Sequence, residues 1–420
     1  IGRSGERLNH SDVGRSGERL NRSDLDPRVL VLGVMSASLT KGVRLSYPCW
    51  MEEEALSHHP GFVLIDTFSS SEEELDRAIR KHRMVMVNSL LSNSMTVRVQ
   101  SDDKKLKWAH LRAIFSHPFG SVFKRLQFLR AHLAKAHQTG MWLADIHEST
   151  FVNGQLGLVR LIVELRVRLI LTRYLFTQEM SSLVSLMKAN KVCVRMKLLP
   201  IHQVQPPAVT PFSYRSFDVL LYGNPYAINY PFRVRMAKFL KTLPLKVVVC
   251  LAGSGPAMLY RGNVTVKVGE CSNLSPLLQN SKMAVATPPL SRYMVQKYVE
   301  IPMHGAVLLG PLVIDATLLF YPSEIVQLYD HWTDAEIRHA ILSSFRDLAR
   351  LEKRAAAGRR RILGTLSMSL YGTHTLHAID DRSTQSIPPY LRNSSGDLSV
   401  AEEADFAYFR RNLNSMLGCL

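Results

Sequence analysis

The 420-residue sequence has no uninterrupted apolar run of the roughly 18 to 20 residues that a membrane-crossing helix needs. It is also poor in cysteine. The five present, Cys49, Cys193, Cys250, Cys271 and Cys419, are scattered, with no Cys-x-x-Cys and no Cys/His cluster. That spacing argues against a structural zinc and against a disulfide scaffold, so reduced thiols are expected. Acidic residues are scarce as well. The 35 Asp and Glu face 52 Lys and Arg, for a formal net charge of +17, so the summed field favours anions: nucleotide phosphates, nucleic acid or acidic membranes. The first residues are polar, with no basic-then-apolar leader, and the first is Ile rather than Met. The expectation is a soluble chain, cytoplasmic by default.

What is present is an α/β texture. Residues 2–12 and 14–24 are near copies of one polar segment with too few apolar residues to pack, so 1–27 is set apart as disordered. From Arg28 onward, RVLVLGVM, FVLIDTF, RMVMVNS, GMWLADIHE and VRLILTRYL are short apolar runs separated by helix-length segments. Such alternation predicts βαβ units and a parallel sheet over 28–205. Ser71 with Glu74 predicts a capping box for one of the helices. A proline-rich stretch, 198–216, suits a linker. A second series, SFDVLLYG, LKVVVCLAG, VTVKVG, KMAVATP and GAVLLGPL, reads as buried strands of a second doubly wound domain over 206–375. Its clearest helix is opened by Pro231, with Phe232, Met236, Phe239 and Leu240 on one face. A long helix capped by Thr333 and Glu336 carries Ile337, Ile341, Phe345, Leu348 and Leu351 before Gly358. Residues 376–420 read as a tail with some helix near 399–417.

In open parallel sheets ligands bind beyond the carboxyl ends of the strands, so the residues just after each strand are the candidates. Gly33 with Ser36 and Ser38 lacks the spacing of a dinucleotide fingerprint and suits a turn; no NAD binding is expected. Asp145 and His147 close GMWLADIHE, where they suit either a cleft-floor role near a reacting group or a structural cap. The companion motifs of metallophosphoesterases, GDxxDRG and GNH, are absent. Tyr222, Gly223 and Asn224 form the turn at the end of DVLLYG and precede YPFRVRM, where a helix N-terminus and Arg233 or Arg235 could meet a phosphate. Gly253-Ser254-Gly255-Pro256 is a flexible loop of similar potential. The segment KYVEIPMHGAVLLG is the most informative. A short helix with Lys297 and Glu300 precedes Pro302, Gly305 and a buried strand; the carboxylate could accept both hydroxyls of a ribose and Lys297 could neutralise phosphate. The basic stretch 104–135 suits either a solvated helix face or contact with an acceptor or a membrane surface. Nucleic acid is not the expected partner, because aromatics are not interleaved among the basic residues.

The order of a DVLLYG strand, a YPFR helix, KYVEIPMHGAVLLG and a helix opened by WTDAEI resembles the C-terminal domain of GT-B type glycosyltransferases, especially those related to the spore-maturation protein CgeB. The likeness covers roughly residues 140–375. It implies two Rossmann-like doubly wound domains facing a cleft, with the donor nucleotide on the second. It also implies a nucleoside-diphosphate sugar as donor, an unspecified glycan, protein or lipid acceptor, and no obligatory metal. Carried over, Glu300 matches the acid that holds the donor ribose, Lys297 and Tyr298 the residues just before it, and Gly305 the glycine at which backbone approaches the donor. The family's second acid, eight residues earlier, is replaced by Arg292, which could instead meet the pyrophosphate. That departure leaves two expectations open, a working transferase or a non-catalytic binding descendant.

Overall fold

Apolar runs rich in Val, Ile and Leu, bounded by polar helices, bury both faces of a sheet, and the chain does this twice. The computed structural model describes residues 25–33, 48–88, 91, 95, 119–143, 154–175, 177–206, 208–252, 255–381 and 391. Six strands make the first sheet: β1 (Asp26–Gly33), β2 (Phe62–Asp66), β3 (His82–Val87), β4 (Thr139–Leu143), β5 (Val167–Thr172) and β6 (Arg195–Leu198). Their order is β2-β1-β3-β4-β5-β6, and every pairing is parallel. The capping box at the helix Glu72–Lys81 is formed as expected. Ser71 Oγ accepts from the Glu74 amide at 3.1 Å, and Glu74 Oε2 accepts from the Ser71 amide at 2.8 Å.

The second sheet has seven strands: β7 (Phe217–Gly223), β8 (Val247–Leu251), β9 (Pro256–Arg261), β10 (Val264–Glu270), β11 (Ser281–Val285), β12 (Val307–Gly310) and β13 (Val326–Gln327). They are ordered β10-β9-β8-β7-β11-β12-β13. The central strands run parallel, and β9 and β10 form an antiparallel hairpin at one edge. From β7 the chain goes first to β8 on one side and later to β11 on the other. The crevice between the ends of β7 and β11 is therefore a topological switch point, where the two crossovers leave on opposite faces and open space for a ligand.

Several expectations change. VTVKVG is no buried strand: β10 lies on the sheet edge with Val264 and Val266 exposed. Its partner β9 begins at Pro256, inside the stretch read as a flexible loop. The long helix from Thr333 is two helices, Asp334–Ser344 and Leu348–Thr365. The break comes from Asp347, whose Oδ1 accepts from the Arg350 amide at 2.9 Å and starts a new helix. Leu348 is consequently exposed rather than part of a stripe, and Gly358 lies inside the second helix, where an added Cβ would stand 3.6 Å from Pro302. Not all the thiols are reduced either, for Cys250 on β8 is joined to Cys271 just past β10, with Cα atoms 5.3 Å apart. The hairpin brings back together two cysteines that their 21-residue separation hid.

The carboxyl ends of the two sheets face one another. Tyr174, just past β5, stacks on Tyr293, which follows β11, at 4.4 Å between centroids. Ser291 Oγ donates to Glu179 Oε1 at 2.9 Å, and Gln296 Nε2 donates to Gln203 Oε1 at 3.3 Å. Two segments cross between the sheets side by side. The Gln203 amide donates to the Leu366 carbonyl and the Met368 amide to the Gln203 carbonyl, both at 2.9 Å. At this crossing the buried His202 meets His374, Nε2 to Nδ1, at 2.8 Å. The chain then closes with the helix Tyr371–Asp380 against the first sheet, where Tyr371, Ala378 and Ile379 pack with Val29, Val31, Met84 and Met86. Lys197 of β6 pairs with Asp381 at its end, 2.9 Å away.

Candidate functional site

The switch point of the second sheet is lined by four pieces of chain. β7 delivers Tyr222 and Gly223; the residue pair just past β11 is Ala286 and Thr287; the helix Pro231–Phe239 delivers Arg233; the helix Lys297–Met303 delivers Lys297 and Glu300. Arg233 is 3% exposed, an unusual burial for a guanidinium, and its surroundings explain it. Its Nε donates to Thr287 Oγ1 at 2.7 Å, one terminal nitrogen to the Asn224 carbonyl at 2.7 Å, and the other to the Thr287 carbonyl at 3.2 Å. Its plane lies 3.7 Å from the Tyr230 ring centroid. Among the described residues the side chain has no carboxylate partner.

Lys297 is buried beside it. Its ammonium sits 4.1 Å from the Tyr222 ring centroid and donates to the Tyr222 carbonyl. Gly223 makes this approach possible. With φ at +112°, it takes a conformation that side-chain-bearing residues avoid, and a Cβ there would stand 2.7 Å from Lys297 Nζ and 3.1 Å from an Arg233 terminal nitrogen. Two cationic heads thus converge on one bare stretch of main chain. The electrostatics follow. Burial, and then the charge of Arg233, push the Lys297 ammonium well below the ordinary lysine range, with Glu300 opposing. Burial likewise lowers Arg233. Among the described residues the cluster sets two cationic side chains against one carboxylate, so added negative charge beside it would relieve the repulsion.

Glu300, half-buried, is the acid of the cluster. Its Oε2 accepts from the Tyr222 hydroxyl at 2.8 Å. Burial, reinforced by the Glu300 charge, raises the Tyr222 phenol well above its usual range, so the hydroxyl is held as a donor.

Gly223, Asn224, Arg233, Lys297 and Glu300 are therefore brought together. The other candidates lie elsewhere. Tyr298 is fully buried, its hydroxyl donating to the Pro311 carbonyl, and burial raises its phenol far above the ordinary range. Gly305 has φ +73° and follows the helix Lys297–Met303 as its left-handed terminator. A Cβ there would meet Arg215 at 2.7 Å and Val209 at 2.8 Å, so its open face is filled by protein. Arg292, in a left-handed conformation at φ +53°, is exposed and paired with Asp330 at 2.8 Å. Asp145 and His147 lie outside the described residues, as does the 104–118 part of the basic stretch. Arg235, the alternative to Arg233, pairs with Asp334 at the surface.

Sequence reasoning missed Thr287, and it placed Tyr222 and Tyr230 only as members of the turn after DVLLYG and of YPFRVRM, with no role assigned. The signal for Tyr222 was present, since it immediately precedes Gly223, but an apolar strand reads as core. On the first sheet, the crevice between β1 and β3 holds Glu53, buried against Gly33 and accepting from Asn88 Nδ2; no pattern in the sequence marked it. Among the described residues, no group of three or more His, Cys, Asp or Glu is placed to hold a metal ion. Nor is any helix among them long and apolar enough to cross a membrane.

No family model and no curated protein matches the sequence. Solved structures do resemble it in chain path. T4 phage BGT in complex with UDP and Mn2+ superposes with a TM-score of 0.47 at 10% identity, over 84% of this chain and 99% of that one. Sucrose-phosphate synthase from Thermosynechococcus elongatus gives 0.48 at 10% identity, over 84% and 98%. Anabaena HepE in complex with UDP and glucose gives 0.47 at 10% identity, over 85% and 100%. At such identities and TM-scores these likenesses decide nothing about this chain. The architecture itself, two Rossmann-like doubly wound sheets with their carboxyl ends facing across a cleft and a last helix returning to the first sheet, is of the GT-B type.

Proposed function

We propose that this chain is a glycosyltransferase that takes its sugar from a nucleoside-diphosphate donor held at the β7–β11 switch point. The observation that carries the reading is the convergence of the buried Arg233 and Lys297 on the bare backbone of Gly223. A diphosphate supplies the charge this pocket lacks, and departure of the sugar leaves more negative charge on it. Preorganised cations in a site shielded from water stabilise that charge without reorganising at the moment of reaction. Glu300 takes the ribose hydroxyls, and the pair of cations makes a bound metal dispensable. The sugar then faces the first sheet, where Asp145 and His147 follow β4 in sequence and an acceptor, whether glycan, protein or lipid, is received.

The test is turnover. Release of nucleoside diphosphate from a panel of nucleotide sugars should be seen with one donor, and Arg233→Ala should abolish it while the protein stays folded. Saturable donor binding with no release would favour a second reading, a non-catalytic nucleotide- or glycan-binding descendant. The observation on its side is Arg292, which stands where the family has an acid and is tied to Asp330. Absence of both binding and release would contradict both readings.

A further inference from the structure

Tyr222 is used three times over by its neighbours. Its hydroxyl donates to Glu300 Oε2 at 2.8 Å, its ring supports the Lys297 ammonium at 4.1 Å, and its carbonyl accepts from the same ammonium. It is 2% exposed and sits at the last turn of β7 before Gly223, so it is fixed by the sheet rather than by a loop. Among the described residues nothing else hydrogen-bonds to the Glu300 carboxylate, which leaves Oε1 open on a half-buried side chain. A glutamate has three rotatable bonds, and a single anchored oxygen restricts the directions in which the other can point.

We infer that Tyr222 is a positioning residue: it ties down one oxygen of Glu300 so that the other is presented to the ribose diol of a nucleoside diphosphate, making the pocket select ribonucleotides over their 2′-deoxy forms. The inference rests on the donor reading given above. Tyr222 touches no ligand itself. It acts through Glu300, while its ring and carbonyl keep the phosphate-side Lys297 in register with that carboxylate. Ribose and diphosphate are thereby recognised from one rigid side chain.

Tyr222→Phe removes the hydroxyl and keeps the ring, the carbonyl and the buried volume, so the fold and the support of Lys297 are retained. Calorimetric Kd values are to be measured for UDP, GDP, ADP and CDP and for their 2′-deoxy counterparts, on the unaltered protein, Tyr222→Phe and Glu300→Ala. The expected result is a preference for the ribo form of about tenfold in the unaltered protein, the size expected of hydrogen bonding to a charged group. Tyr222→Phe should lose most of that preference by weakening the ribo form alone, and Glu300→Ala should lose all of it. If Tyr222→Phe weakens ribo and deoxy forms equally, its role is structural and the inference is overturned. It is overturned as well if the preference survives intact. If Glu300→Ala keeps the ribo preference, or no ribonucleoside diphosphate binds the unaltered protein, the donor reading fails first and the inference falls with it.

Discussion

Gly223 shows how one missing side chain lets two cationic groups pack against the main chain. Its φ of +112°, and the 2.7 Å that would separate an added Cβ from Lys297 Nζ, mean that Gly223→Ala must strain the backbone and displace the ammonium. It should cost about 1–3 kcal/mol of stability, measurable by urea denaturation, and reduce nucleotide affinity at the same time. Lys297 behaves in the opposite way. Its ammonium is buried next to another cation, so Lys297→Met removes an unfavourable charge. Stability in urea should hold or rise while nucleotide affinity falls at least about tenfold, the separation expected where a fold tolerates strain for function. A parallel loss of both would mean that Lys297 is an ordinary structural lysine. At this scale the sequence was informative about half of the cluster. Gly223, Asn224, Arg233, Lys297 and Glu300, which the fold brings together, stood out because charged residues and glycines after apolar strands are visible in a linear pattern. Tyr298 and Gly305 were drawn in because adjacency along the chain does not specify which way a helix turns. Tyr298 faces the core from the helix that presents Glu300 to the cleft.

Among the elements, strands and capped helices were the legible part, since period and cap chemistry are local. The Ser71 and Thr333 boxes formed as their spacing implied. The two helices after Thr333 were read as one because apolar residues continue at helical spacing through Phe345 and Leu348, which conceals the cap at Asp347. Asp347→Ala should therefore cost about 1 kcal/mol in thermal or urea unfolding, the usual loss for an N-cap. An unchanged stability would show that packing alone sets the break. The β9–β10 hairpin was missed for a different reason. A two-residue return between a strand of which only the first residue was read, as the end of a loop, and one taken for core can be recognised only once the sheet edge is known. The Cys250–Cys271 pairing is a consequence of that hairpin and shares its invisibility.

For the molecule as a whole, the two sheets were legible and the way they meet was not, because contacts such as Tyr174 on Tyr293 join residues more than a hundred positions apart. The side-by-side crossing carries its own prediction. Burial holds His202 down to about 3, and burial followed by the charge of His377 holds His374 down to about 4. His202 donates from Nδ1 to the Pro200 carbonyl and so meets His374 with a neutral Nε2. Both rings are neutral in the native state, whereas in the unfolded chain they protonate near 6.5. Above that pH the two states bind the same protons and no stability is lost. As pH falls from about 6.5 toward 3, His202 alone should remove roughly 1.4 kcal/mol of stability per pH unit. His202→Gln should flatten the low-pH limb in a urea-unfolding series, and an unchanged slope would contradict a native His202 held neutral by burial. The proposed binding of a nucleotide at the β7–β11 switch point stands apart from this crossing. Its most direct measurement is the thermal shift of the unaltered protein and of Arg233→Ala with UDP, GDP, ADP and CDP. At least one nucleotide should raise the unfolding temperature of the unaltered protein in a concentration-dependent manner and leave the variant unmoved; no shift with any of the four, or an equal shift in the variant, would contradict it.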